Sequence, residues 1–219
     1  MRAASLAIVC WFAMASASGV SVAQKRNINF DLLAAARAGD SDSVASLLGQ
    51  GANPDSRNRL GDTPLNLAAA RGQLNLVRLL LAHKADVNRA NLARVTPLMS
   101  AAFGGHDVIV RELLARDADP SSTDRVDKPA IVYAAGNGHT ACVQALLDAG
   151  VDANRRYAEG STALMWAAAY GSTDSVRLLL ARGAEASVRD QRGMTALALA
   201  IEQKQDAVAA LLRASGATE

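Results

Sequence analysis

Few side chains in this 219-residue sequence are suited to chemistry. There are three histidines (His83, His106, His139), two cysteines (Cys10, Cys142) and one glycine-rich stretch, Gly136-Asn137-Gly138, behind the apolar run Ile131-Val132-Tyr133. Histidines would supply zinc ligands or a general base. A thiol would supply a nucleophile if an electropositive setting lowered its pKa. An apolar run entering Gly-Asn-Gly could be a strand leading into a phosphate loop. None of these constellations is completed. The glycine stretch lacks the third glycine and the following helix signal of a dinucleotide loop, and no HExxH, GxSxG or GxxxxGK[ST] occurs. Cys142 is expected to be buried and inert. Carboxylate pairs such as Glu202 and Asp206 read as a solvated face rather than acid/base machinery. The sequence therefore predicts a protein that is not an enzyme and binds no cofactor or metal.

The same residues fall into place on a longer ruler. Thr63 (in GDTPLNLAAARG) recurs 33 residues on as Thr96, then Pro129, Thr162 and Thr195, with Phe30 in the equivalent slot upstream. Gly39, Gly72, Gly105, Gly138 and Gly171 keep the same spacing until Lys204 breaks the series. So do Val44, Val77, Val110, Val143 and Val176, and the leucine pairs that begin with Leu47-Leu48. Each Thr is placed to cap a short helix. Leu65, Ala68 and Ala69 give that helix an apolar stripe, and Gly72 ends it in a left-handed turn. A second helix carries Leu74, Val77, Leu80 and Leu81, and the polar stretch from Lys84 to Val95 returns the chain as a loop or hairpin. Such a helix pair cannot bury its apolar face alone, so copies must stack. His106 and His139 then stand one repeat apart, ~10 Å at helix-packing distance. That is too far for one zinc, and both read as residues that brace a turn. Pro129 leaves the fourth copy without a capping Thr, with Asp127 close enough to substitute, and Tyr133 and Trp166, aligned with Leu67 and Leu199, are expected in the core.

The copy GDTPLNLAAARGQLNLVRLLLAHKADVN resembles an ankyrin repeat, with the family's G-x-T-P-L-x-x-A-A-x-x-G and V-x-x-L-L-x-x-G-A-D-x-N nearly intact. Six copies begin near Asn27, Leu60, Ala93, Val126, Glu159 and Arg192. The resemblance implies an all-α ankyrin-repeat solenoid of 33-residue helix-turn-helix repeats joined by hairpin loops. The family's His after TPL is absent (Asn66, Met99, Val132, Met165 and Ala198 stand there), which puts polar bracing at the helix starts in doubt. Glu202, Gln203, Lys204 and Gln205 make the last copy a polar C-terminal cap.

At the N-terminus, Arg2, an apolar stretch from about Ala3 to Ala15 and Ser21-Val22-Ala23 describe a secretory signal peptide over residues 1–23, ahead of a repeat domain at 24–219. The apolar stretch is short of the ~20 residues a membrane span needs. Without Arg2, the 23 basic residues become 22 against 21 acidic, so bulk charge points to neither nucleic acid nor membrane surface. With Cys142 alone remaining, no internal disulfide is expected. These features predict an exported bacterial monomer, periplasmic or secreted.

The resemblance also supplies a binding surface. Family members engage protein partners through loop tips and the concave side, at positions four, three and one before the Thr and seven and eight after it. Carried over, those positions give an apolar run of Leu60, Leu92, Val95, Phe103 and Val126. Arg59, Arg71, Arg125 and Lys128 rim it, and Tyr157 and Tyr170 lie further along. Apolar residues framed by arginine and aromatics mark interfaces. The expected function is a non-catalytic interaction scaffold whose partner presents an apolar and acidic surface. Family analogy with exported ankyrin proteins of oxidative-stress defence suggests a periplasmic catalase. The rival readings are a secreted effector engaging host proteins and an enzyme whose site no motif reveals.

Overall fold

The computed structural model describes residues 17–218, with side chains from Ile28 onward. The apolar stretch of the expected signal peptide and Cys10 lie outside the described residues, and the expected cleavage point after Ala23 falls within the first helix. The described residues form twelve α-helices in six consecutive pairs: α1 (Ala17–Ala38) and α2 (Ser41–Gly49), α3 (Pro64–Ala70) and α4 (Leu74–Ala82), α5 (Pro97–Gly104) and α6 (Asp107–Leu114), α7 (Ala130–Gly136) and α8 (Thr140–Asp148), α9 (Ala163–Ala169) and α10 (Thr173–Ala181), α11 (Ala196–Glu202) and α12 (Asp206–Ala214). Each first helix packs on its own second helix and on the first helix of the next pair, and the second helices stack more loosely alongside. No strand occurs among the described residues, and none of these helices is long and apolar enough to cross a membrane.

Local chemistry sets each helix. The Oγ1 of Thr63, Thr96, Thr162 and Thr195 accepts from the backbone N–H three residues on, at 3.2, 3.3, 3.4 and 3.1 Å. This satisfies one of the free N–H groups at each helix start. Thr63 completes a capping box, because the Oδ1 of Asn66 accepts its backbone N–H at 3.0 Å. At Pro129 the cap has no side-chain hydrogen bond, and Asp127, which was expected to substitute, does not cap. Its backbone is left-handed (φ 58°), because it occupies the tip of the preceding loop.

The core is a double row of small residues flanked by larger ones. Ala68 and Ala69 and their copies at 101–102, 134–135 and 167–168 are fully or almost fully buried, which lets successive first helices approach closely. Val77, Val110, Val143 and Val176, with Leu80, Leu113, Leu146 and Leu179, fill the space under the second helices at 0 % exposure. At the C-terminal end Ile201, equivalent to buried Ala168, is exposed because no further repeat covers it, and Glu202, Gln203 and Lys204 face solvent beside it. The last described repeat thus carries a polar, solvent-facing stretch beside Ile201.

Candidate partner-binding surface

The loops between pairs hold their shape through Asx turns. Asn58 Oδ1 accepts from the N–H groups of Leu60 (2.8 Å) and Asp62 (3.0 Å), which points residues 59–60 outward as a tip. Asn91, Asp124 and Asp190 do the same for Ala93 and Val95, for Val126 and Lys128, and for Arg192 and Met194. Each tip projects beside the next first helix, and the two enclose a groove. At the N-terminal end that groove is lined by Phe30, Leu33, Arg37, Arg59, Leu60 and Leu67. At the C-terminal end Val126 and Lys128 face Trp166 and Tyr170 across it.

The expected apolar run lies along this face. Leu60 is 68 % exposed and Phe103 58 %, and Leu92 and Val126 are also open to solvent. Leu92 leans back over Gly61, where even a Cβ would approach its Cγ to 2.9 Å. Val95 is half-buried and packs against the core, so it supports the run from below. Arg59, Arg71 and Arg125 are exposed, and none makes an ion pair among the described residues. By contrast, Arg78 and Arg116 pair with Glu112, and Arg111 and Arg182 with Asp148, on the side of the second helices. The arginines of the groove are thus left for something else to neutralise. Lys128 is half-buried, its ammonium 4.1 Å above the Trp166 ring.

Tyr157 departs from expectation. It is only 8 % exposed and is not a surface anchor. It stands in the slot of Asn58, Asn91, Asp124 and Asp190 but has no carboxamide or carboxylate to close an Asx turn. Its ring folds inward, and burial pushes its hydroxyl pKa up to about 12. The loop closes instead through a single 3-10 turn at Ala158–Gly160. Tyr170 is 62 % exposed, its ring stacked on Trp166 with centroids 5.9 Å apart.

Three contributors escaped the sequence reading. Phe30, 71 % exposed, carries the apolar run into the first repeat. The signal was present, since a large apolar residue stands where later copies hold a buried capping Thr. Tyr133 and Trp166, expected in the core, are half-buried at its edge: Tyr133 meets Phe103 edge-on at 5.8 Å and donates its hydroxyl to Asp124 at 2.5 Å, and Trp166 lines the groove, its Nε1 donating to Ser161 Oγ at 2.9 Å.

The bracing histidines are where the spacing predicts. The Nε2 atoms of His106 and His139 lie 3.3 and 2.9 Å from the carbonyl oxygens of Ala70 and Phe103, 36 residues earlier. Ser172 and Gln205 reach Gly136 and Ala169 in the same way. No group of three or more His, Cys, Asp or Glu that could hold a metal occurs among the described residues. Cys142 is fully buried, and burial, reinforced by the Asp107 carboxylate, pushes its thiol up to about 11.

The profile of the family described as Ankyrin repeats (3 copies) matches residues 32–124 and again 128–218. The chain belongs to the ankyrin repeat family. Comparison with curated proteins returns no match. Ankyrin repeats are in general modules for protein–protein interaction, so the loop tips and the groove beneath them are the surface on which this ankyrin protein's function is to be sought.

Proposed function

We propose that this ankyrin protein is a non-catalytic scaffold that binds a protein partner through its loop tips and the groove beneath them, and that the partner presents an apolar and acidic surface. The observation that carries this reading is the line of exposed Leu60, Leu92, Phe103 and Val126, bordered by Arg59, Arg71 and Arg125 without carboxylate partners. These apolar side chains are more than half exposed and contribute little to stacking. Buried against a partner they would release ordered water, with unpaired guanidinium groups selecting for carboxylates at the rim. Export to the periplasm or beyond rests on the N-terminal sequence pattern. A role in stress defence with a catalase as partner is the specific candidate that family analogy adds.

The test is a cross-linking pull-down from the native cell envelope. The double variant Leu92→Ala/Phe103→Ala and the charge variant Arg59→Glu/Arg125→Glu should each lose most of the partner while keeping the wild-type helical circular dichroism and a cooperative unfolding transition. Equal recovery of the same partner by wild type and both variants would sink the reading.

A further inference from the structure

The loops are tied to one another as well as to their helices. At the tips, Leu92 N–H donates to Leu60 O at 3.0 Å, Arg125 N–H to Ala93 O at 3.2 Å and Gln191 N–H to Glu159 O at 2.8 Å. Nearer the second helices, the N–H groups of Asp86, Asp119 and Glu185 donate to the Oδ1 atoms of Asp55, Asn88 and Asn154 at 2.9, 2.8 and 2.8 Å. These two bonds per step stitch the loops of repeats two to four together, and separately those of repeats five and six.

Between the fourth and fifth loops both stitches are missing among the described residues. Ala158 N–H, equivalent to Leu92 and Arg125 N–H, makes no bond to Val126 O. Asp152 N–H has no carboxylate or carboxamide to meet. Ser121 stands where Asp55, Asn88 and Asn154 stand, and its hydroxyl donates to Asp119 at 2.7 Å. The cause is in the sequence. Tyr157 cannot form the Asx turn, and the replacement 3-10 turn puts Glu159 (φ 57°) as well as Gly160 (φ 73°) in the left-handed region. The fifth tip is therefore re-aimed. Beneath it α7 and α9 pack as closely as their equivalents elsewhere in the stack, so the break is confined to the loop layer.

The break opens onto the C-terminal part of the groove. Val126 and Lys128 form one wall, Ala158 and Glu159 the other, and Trp166 and Tyr170 the floor. Glu159 has no ion pair among the described residues. Glu202, at the rim, is 45 % exposed, with its closest cation, Arg192, at 3.8 Å and shared with Asp190. The Lys128 ammonium over Trp166 demonstrates that this floor holds a cation. The outer face of Tyr170 is open.

We propose that the break between the fourth and fifth loop tips is a docking slot for an extended peptide segment carrying an arginine. The segment's backbone pairs with the free Val126 carbonyl and Ala158 N–H, supplying the missing stitch as an added strand does at a sheet edge. Its guanidinium lies on the Tyr170 ring and donates to Glu159 and Glu202, a combination that a planar cation meets and an ammonium or an apolar side chain does not. The proposal rests on the reading of this face as a partner surface and adds to it a defined site and a preferred residue.

The probe is a random dodecapeptide display library selected on the purified full chain, followed by titration of one enriched synthetic peptide. Enrichment of arginine is expected. Tyr170→Ala and Glu159→Lys should each weaken that peptide at least tenfold, and so should N-methylation of the peptide bond next to its arginine. Tyr157→Asn, which restores the Asx turn and closes the slot, should abolish binding with the helical circular dichroism retained. Leu92→Ala/Phe103→Ala should change the peptide's affinity less than twofold. Enriched peptides with no arginine bias, dominated instead by aromatic or acidic residues, would overturn the proposal. So would an arginine peptide indifferent to Tyr170→Ala and Glu159→Lys, or the absence of any enriched peptide. A slot that binds its peptide while the envelope partner ignores Leu92→Ala/Phe103→Ala and Arg59→Glu/Arg125→Glu would discard the apolar run and keep the slot.

Discussion

The Nε2 of His139 lies 2.9 Å from the carbonyl oxygen of Phe103, in the preceding repeat. Phe103 is in the last turn of α5, where carbonyl groups lack a helical partner, so the imidazole satisfies one of them and locks two repeats together. The same ring packs against Gly105, where a Cβ would approach Nδ1 to 2.6 Å and the backbone is left-handed (φ 75°). Asn137 also donates to Phe103 O at 3.3 Å, so the carbonyl is not orphaned if the imidazole is removed. His139→Ala should therefore cost about 1 kcal/mol, the net value of one hydrogen bond. Gly105→Ala should cost more, and part of that cost should disappear in the His139→Ala background, because the steric conflict is with the ring. Urea unfolding of the double-mutant cycle checks this. Strictly additive losses would mean that the two residues do not meet.

Truncation of equivalent leucines should depend on place in the stack. Leu146 and Leu212 occupy the same slot in different repeats, and both are 0 % exposed. Leu146 has packed repeats on both sides, so Leu146→Ala should cost ~2–5 kcal/mol through lost burial and a cavity that neighbours cannot collapse into. Leu212→Ala lies in the end repeat, with one neighbour, and should cost less. Equal losses from denaturant curves would count against a linear stack of coupled repeats.

Most of the stack was legible because its determinants are periodic. The threonine caps, the paired alanines and the valine and leucine rows each repeat a local physical requirement every 33 residues, so one copy explains the rest. The breaks in period were less readable. Tyr157 reads as a surface aromatic by residue type alone, because the Asx role of its slot shows only in the backbone hydrogen bonds of Asn58, Asn91, Asp124 and Asp190. The left-handed tip position is held by Gly61, Gly160 and Gly193 but also by Arg94 and Asp127, which hid its rule. Trp166 and Tyr133 were expected in the core because their slot holds leucine elsewhere. The slot itself borders the groove, as half-buried Leu67 does at the N-terminal end, and an apolar pattern does not separate such a border position from the core.

The fourth repeat should be improved by restoring its cap. Pro129 occupies the slot of Thr63, Thr96, Thr162 and Thr195, in extended backbone (φ −86°, ψ 175°) that Thr adopts freely, and it offers no side-chain acceptor. Pro129→Thr should add about 1 kcal/mol, the usual value of such a cap. Loss of proline's restraint on the unfolded chain offsets some of this. The reciprocal change, Thr96→Ala, should remove about the same amount. Unfolding midpoints of the two variants should move in opposite directions, and a fall on Pro129→Thr would show that the proline ring matters more than the missing hydroxyl.

The last repeat carries a backbone cost of its own. Lys204 interrupts the glycine series and holds the left-handed conformation (φ 57°) that Gly171 adopts one repeat earlier. A non-glycine residue there costs about 1 kcal/mol. The side chain is exposed and makes no ion pair among the described residues, so little is lost by deleting it. Lys204→Gly should therefore raise the unfolding midpoint modestly, despite glycine's larger unfolded-state entropy. An unchanged or lower midpoint would mean that entropy outweighs the relief of strain.

Cys142 should be chemically silent in the folded protein and limit stability at high pH. Its thiol is fully buried, and burial pushes its pKa up to about 11, from an ordinary value near 8.5. At pH 8 only about one thiol in a thousand is then thiolate, and that one is shielded from reagent. A group whose folded pKa is raised contributes stability that is complete below the unfolded pKa and is lost as pH climbs through the folded one. Stability should hold steady up to about pH 8 and fall between there and pH 11, with Cys142→Ala flattening that fall. Labelling by a thiol reagent at pH 8, in a chain carrying Cys10→Ser, should follow urea unfolding. Rapid labelling without urea would show that the α6–α8 contact opens far more readily than its buried side chains imply.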